Sequence, residues 1–170
     1  MTTSNGDAAP ESTSNANGAQ APQNVLMIMG QYVKDLSFEC PNAPQIFTEM
    51  REPPQIAPQH GVQVNLIAQN VVEVVLHSRI EAKMNDKVAF IVELDYAALV
   101  NVPTGMSQEQ SQQVLLIEVP RLIFPFARSI IADVVRDGGF PPLLLAPVEF
   151  AISQTPPGNP AESATEPAKA

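Results

Sequence analysis

The sequence predicts an α+β domain, a four-stranded antiparallel sheet with helices packed on one face, and three observations lead there. Apolar and polar side chains alternate through the first half of the chain, apolar pairs recur every four residues in the second, and the two kinds of segment do not interleave. Of 170 residues, 25–154 carry this patterning. The flanks do not: 1–24 has no large apolar residue after Met1, and 155–170 carries Pro156, Pro157 and Pro160 among small polar residues, so both are expected to be disordered tails.

The first strand is expected over Val25 to Cys40, interrupted at Gly30. Pro41 to His60 follows with five prolines, which predicts neither a helix nor a central strand; its Ile46, Phe47 and Met50 favour a loop that binds or packs. Val62, Val64 and Leu66 then alternate with Gln63 and Asn65 in a second strand, Gly61 to Gln69. In the third, Val71 to Met84, one face takes Val72, Val74, Leu76, Ile80, Ala82 and Met84, and the other Glu73, His77, Arg79, Glu81 and Lys83. Asn85-Asp86 signals a turn, after which Val88, Phe90, Val92, Leu94 and Tyr96 point inward against Glu93 and Asp95.

Helical character begins at Ser107, where Ser107 and Gln110 have the spacing of a capping box. Pro120 is expected either to kink the helix or to restart it. From there Leu122/Ile123, Phe126/Ala127, Ile130/Ile131 and Val134/Val135 form a broad apolar stripe, and Gly138-Gly139 ends it. With Phe124, the stripe is wider than one sheet face covers, and Leu122, Phe126, Ile130 and Val134 are assigned to self-association.

Composition narrows the function. A net charge of -9 repels phosphate backbones and anionic headgroups, which argues against nucleic-acid or membrane-surface binding; it could attract cationic partners, but acidity is also the ordinary condition of many cytosolic proteins, and charge alone favours that plainer reading. Neither a signal peptide nor a membrane-span pattern is read, and one cysteine, Cys40, fits a reducing compartment. No phosphate loop, Gly-x-Ser-x-Gly or Cys-x-x-Cys is present. Cys40 with His60 or His77 as base, and His77 with Glu81 as a metal pair, are the arrangements to consider; neither forms a motif, so no enzyme and no cofactor is expected.

Three ordered motifs carry a resemblance. Lys34-Asp35-Leu36-Ser37-Phe38-Glu39-Cys40-Pro41-Asn42-Ala43-Pro44 strongly resembles the signature of SecB, a bacterial protein-export chaperone family. Ile123-Phe124-Pro125-Phe126-Ala127-Arg128 resembles the motif of that family's long helix, and Gly139-Phe140-Pro141 with Leu145-Ala146-Pro147-Val148-x-Phe150 its carboxy-terminal loop. The resemblance implies a cytosolic homotetramer, a dimer of dimers, that holds unfolded secretory precursors without nucleotide and delivers them to the motor SecA. It implies client contacts at Phe47, Val62, Val64, Leu66, Leu144 and Phe150, and SecA contacts at Asp35, Glu39, Ile91 and Glu93. Relatives continue past the last motif into an amphipathic helix, whereas here Thr155, Pro156 and Pro157 leave room only for a very short one. The competing reading is an oligomeric adaptor that binds folded partners.

Overall fold

The computed structural model describes residues 26–151, so both expected tails, 1–24 and 155–170, lie outside the described residues. The elements are β1 (Met27–Glu39), α1 (Gln45–Glu49), β2 (Gln55–Ala68), β3 (Val71–Met84), β4 (Lys87–Asn101), α2 (Gln108–Gln113) and α3 (Val119–Asp137); a π-helical turn, Val114–Glu118, joins the last two. The strands make one antiparallel sheet in the order β1-β4-β3-β2. The β3–β4 hairpin is therefore central, and β1 and β2 are both edges.

The hairpin turns at Asn85 and Asp86, both at positive φ (48° and 61°), a conformation whose twist matches that of the strands it joins. The alternation expected for β3 holds, with Val72, Val74, Leu76, Ile80, Ala82 and Met84 all buried. On β4 it holds from Phe90 to Tyr96 and fails at Val88. A bulge at Ala89 sets Val88 opposite Lys83 on the outer face and carries Ala89 into the core.

β1 contains two bulges. The first, between Ile28 and Gly30, is the interruption expected at glycine. The second, between Val33 and Asp35, leaves Lys34 unpaired and resets the alternation. Before it Tyr32 lies opposite Ala97 on the outer face; after it Leu36 and Phe38 face inward, opposite Leu94 and Val92.

The segment from Pro41 to His60 departs from expectation in two ways. It contains the short helix α1, whose Ile46 is 1% exposed and anchors it to the core, and it yields to β2 already at Gln55. Pro58 is tolerated because β2 is an edge, where a missing N–H faces no partner strand. Asn42 Nδ2 donates to Val88 O at 2.9 Å and Cys40 Sγ to Ala89 O at 3.1 Å, fastening the start of the segment to the hairpin bulge.

The capping box forms as expected: Gln110 N–H donates to Ser107 Oγ at 3.2 Å and Ser107 N–H to Gln110 Oε1 at 3.0 Å. Pro120 restarts the helix. It occupies the first turn of α3, and the wider π turn before it avoids the clash of the proline ring with the carbonyl four residues back. The broad stripe splits lengthwise: Ile123, Ala127, Ile131 and Val135 are buried against the sheet, whereas Leu122 and Phe126 remain 54% and 53% exposed.

Two adjacent glycines close α3 for different reasons. Gly139 has φ 89° and completes a Schellman ending, in which Phe140 N–H donates to Val135 O at 3.2 Å and Gly139 N–H to Arg136 O at 3.0 Å. Gly138, at φ -72°, needs no special backbone but lies against the Phe38 ring. A Cβ there would sit 2.6 Å from Phe38 Cε1, and stacking on Phe90 keeps that ring from yielding freely. Gly138→Ala should therefore destabilise the fold by about 1–3 kcal/mol through overpacking, although alanine is the better helix former. Urea unfolding checks this, and Phe38→Leu in the same chain should recover part of the loss.

Candidate functional site

Three surfaces collect the side chains singled out in the sequence. On the inner side, β2 contributes Val62 opposite Leu76 and Val64 opposite Val74, both half-buried, and then Leu66, 77% exposed, opposite the buried Val72. Residues 140–151 run without regular structure back along α3, from the Phe47–Phe140 ring pair (5.0 Å) at its carboxy end to the Phe124–Phe150 pair (6.1 Å) near its start. Midway, Arg128 Nη1 donates to Leu145 O at 3.3 Å and Leu145 is buried.

Phe124 also meets the His60 ring edge-on at 5.4 Å, which connects this row to β2. Burial lowers the pKa of His60, so its imidazole stays uncharged at neutral pH among apolar neighbours. The six client candidates are thus not one cluster. Phe47 stands at one end of the row, Phe150 with Val62, Val64 and Leu66 toward the other, and Leu144, 87% exposed, projects between them. None of Phe124, His60, Phe140 and Leu145 is assigned to client contact from the sequence, although Phe124, Phe140 and Leu145 stand in the motifs that carry the family resemblance and Phe140 is also the apolar residue that follows a Schellman glycine.

On the outer face, the register sets Asp35 against Asp95, Ser37 against Glu93 and Glu39 against Ile91. Asp35, Glu39, Ile91 and Glu93 therefore share one patch. Their charges are not equally free: Glu93 is paired with Arg79, whereas neither Asp35 nor Glu39 forms an ion pair with a described residue. Glu81, beside Ile91 on β3, takes Lys83 at 2.8 Å, and this hydrogen-bonded pair lowers the carboxyl pKa and raises that of the amine.

Further along the same face Glu73 is 6% exposed and accepts three side-chain hydrogen bonds from the two edge strands. Lys34 donates at 2.7 Å and Asn65 at 2.9 Å, and the Tyr32 hydroxyl donates to the other oxygen. Those donors, Lys34 first, hold its carboxyl down at about 2 against the cost of burial.

The third surface is the uncovered side of α3, where Ile130 and Val134 are half-buried beside the exposed Leu122 and Phe126. The nucleophile considered at Cys40 does not assemble. Its thiol is spent on Ala89 O and desolvation raises its pKa, while His60 Nδ1 lies 3.0 Å from Ser78 Oγ and His77 Nδ1 2.5 Å from Asp95 Oδ1. His77 is thus engaged across to β4 and not with Glu81.

Comparison with known proteins decides the family. Residues 19–153 match the family model described as preprotein translocase subunit SecB. The chain belongs to the SecB family. It is 51% identical over 131 residues to the protein-export protein SecB of Rhodospirillum rubrum, covering 77% of this chain and 81% of that one. It is 52% identical over 136 residues to the SecB of Nitrobacter hamburgensis, covering 78% and 82%. Among solved structures, a SecB-like chaperone of Mycobacterium tuberculosis in complex with a ChAD peptide from an antitoxin shares the fold, with a TM-score of 0.60 at 14% identity over 71% of this chain and 89% of that one.

Membership makes this a protein of the protein-export chaperone family with the α+β fold read from its sequence. Among the described residues, no helix is long and apolar enough to cross a membrane.

The Glu73 cluster generates a pH prediction. Its folded carboxyl titrates below its unfolded value, so its stabilising contribution is complete above about pH 4.5 and is lost as pH falls toward 2. Glu73→Gln should be less stable than the parent at neutral pH, and the difference should shrink between about pH 4.5 and 2. Thermal melts across that window test it; a difference independent of pH would contradict it.

Proposed function

We propose that this chain is an ATP-independent cytosolic holdase that binds unfolded secretory precursors, keeps them competent for translocation and delivers them to SecA. The observation that carries the reading is the combination on β2. Its inner side chains grade from half-buried Val62 and Val64 to open Leu66, and its far edge offers unpaired backbone groups along the same strand. An extended client of almost any sequence can use both, pairing through its main chain and burying alternate apolar side chains. Phe47, Leu144 and Phe150 extend the apolar row along which such a segment would lie. The SecB-like chaperone that shares the fold is itself bound to a peptide, which supports the same use here.

The assembly we propose is a homotetramer, a dimer of dimers. Two kinds of surface support it, as closed dihedral symmetry requires. One is the α3 face of Leu122, Phe126, Ile130 and Val134; the other is the edge strand β1, where Met27, Met29, Val33 and Leu36 are between 39% and 55% exposed. The outer patch of Asp35, Glu39, Ile91 and Glu93 is proposed as the SecA surface. Its carboxylates would steer a basic segment of SecA and Ile91 would add apolar contact.

Two measurements test these assignments. Val64→Asp places a charge in the inner row of β2 and should delay the aggregation of a denatured, slow-folding precursor without ATP less well than the parent, with oligomer mass unchanged by light scattering. Equal protection would remove β2 from the client surface; binding confined to folded partners would favour an adaptor. Glu93→Lys reverses a charge in the outer patch and should weaken SecA binding about five- to thirtyfold, by about 1–2 kcal/mol, while client holding persists. Calorimetry at low salt that found equal affinities would place the SecA contact elsewhere.

A further inference from the structure

The bulge in β1 puts a cation and an anion side by side. Val33 pairs with Tyr96 and Asp35 with Asp95, and the unpaired Lys34 between them extends over the outer face, the face that Asp35 also occupies. Asp35 lies directly opposite Asp95, a like-charge pair that repels and would draw in any nearby ammonium. Lys34 is the nearest in sequence. Its ammonium nevertheless lies 2.7 Å from Glu73 Oε2, on β3, and Asp35 forms no ion pair with a described residue.

We propose that Glu73 is a positioning residue for the acidic face: it draws the Lys34 ammonium away from Asp35, so that Asp35 and its neighbours remain available to a basic partner. The inference rests on the outer-face docking reading above. Glu73 wins the competition because it is a better acceptor than a solvated carboxylate. It is nearly buried, where charges attract more strongly than in water, and Tyr32 and Asn65 already fix its orientation, so little further order is lost when Lys34 binds. Asp95 is a weaker lure, since His77 already contacts it at 2.5 Å.

A purely structural role for Glu73, tying β1 to β2 and β3, is the competing account, and charge removal separates the two. Calorimetry at low salt should find SecA binding to the Glu73→Gln tetramer about two- to fivefold weaker than to the parent, because Lys34 then partly neutralises the patch. The deficit should vanish at high salt. Lys34→Met with Glu73→Gln removes the stray cation and should restore the parent affinity; a double variant as weak as Glu73→Gln alone would mean that the role is structural and would overturn the proposal. Equal affinity of Glu73→Gln and the parent, with Glu93→Lys weakened, overturns it too and leaves the docking reading standing. Should Glu93→Lys also bind normally, the docking reading falls, and a crystal structure of Glu73→Gln decides the remaining point. Lys34 Nζ at Asp35 or Asp95 supports the inference, and Lys34 still at residue 73 refutes it.

Discussion

The fold depends on one constraint, the burial of the inner face of the β3–β4 hairpin beneath half of helix α3. Fourteen residues of β3 and fifteen of β4 present a continuous apolar row, and Ile123, Ala127, Ile131 and Val135 meet it with almost no exposure. Each large side chain in that contact contributes about 1.5–3 kcal/mol relative to exposure. The contact also dictates what is left over. A helix apolar over two adjacent ridges can offer only one to a single sheet, so Leu122 and Phe126 remain in water. That residue of uncovered surface is the strongest structural motive for the proposed tetramer.

A second consequence concerns the edges. Because the hairpin is central, neither β1 nor β2 has a second neighbour among the described residues, and both are long: thirteen and fourteen residues. Open strands of this length are normally suppressed as sites of unwanted pairing. Pro58 removes one donor from β2, and the two bulges bend β1, yet exposed apolar residues remain on both. Such edges suit the partners proposed for this chain, unfolded polypeptides and further copies of itself.

Much of this was legible beforehand, for identifiable reasons. The inner face of β3 and the outward position of Ile91 and Glu93 follow from a period of two, which survives wherever no bulge intervenes. The capping box and the glycine ending follow from local chemistry alone. What escaped depended on pairing. The bulges at Lys34 and Ala89 exist only in register with β4 and β3, so Val88 was assigned inward and the Lys34–Glu73 link was invisible. The early start of β2 escaped because Pro58 argues against a strand unless that strand is known to be an edge. The row formed by Phe124, His60, Phe140 and Leu145 escaped because residues 140–151 have no period to read and are held by contacts to α3.

The two sides of the sheet bear on how a precursor would be handed over. Val62 and Val64 point inward from β2, whereas Asp35, Glu39, Ile91 and Glu93 point outward from β1 and β4, so under the proposed assignments client and SecA do not compete for side chains. Displacement by direct overlap is then a poor mechanism for release. Coupling would have to pass through β3 and β4, which contribute to both sides and are the most thoroughly buried strands in the molecule. Packed strands of this kind transmit strain but deform little. A simpler route avoids deformation: SecA held on the proposed outer patch would raise the local concentration of a second binding site for the same client, and transfer would follow from mass action between neighbours. Under the proposed assignments that route is preferred, because the client row would stay accessible at the β2 edge while the outer patch is occupied.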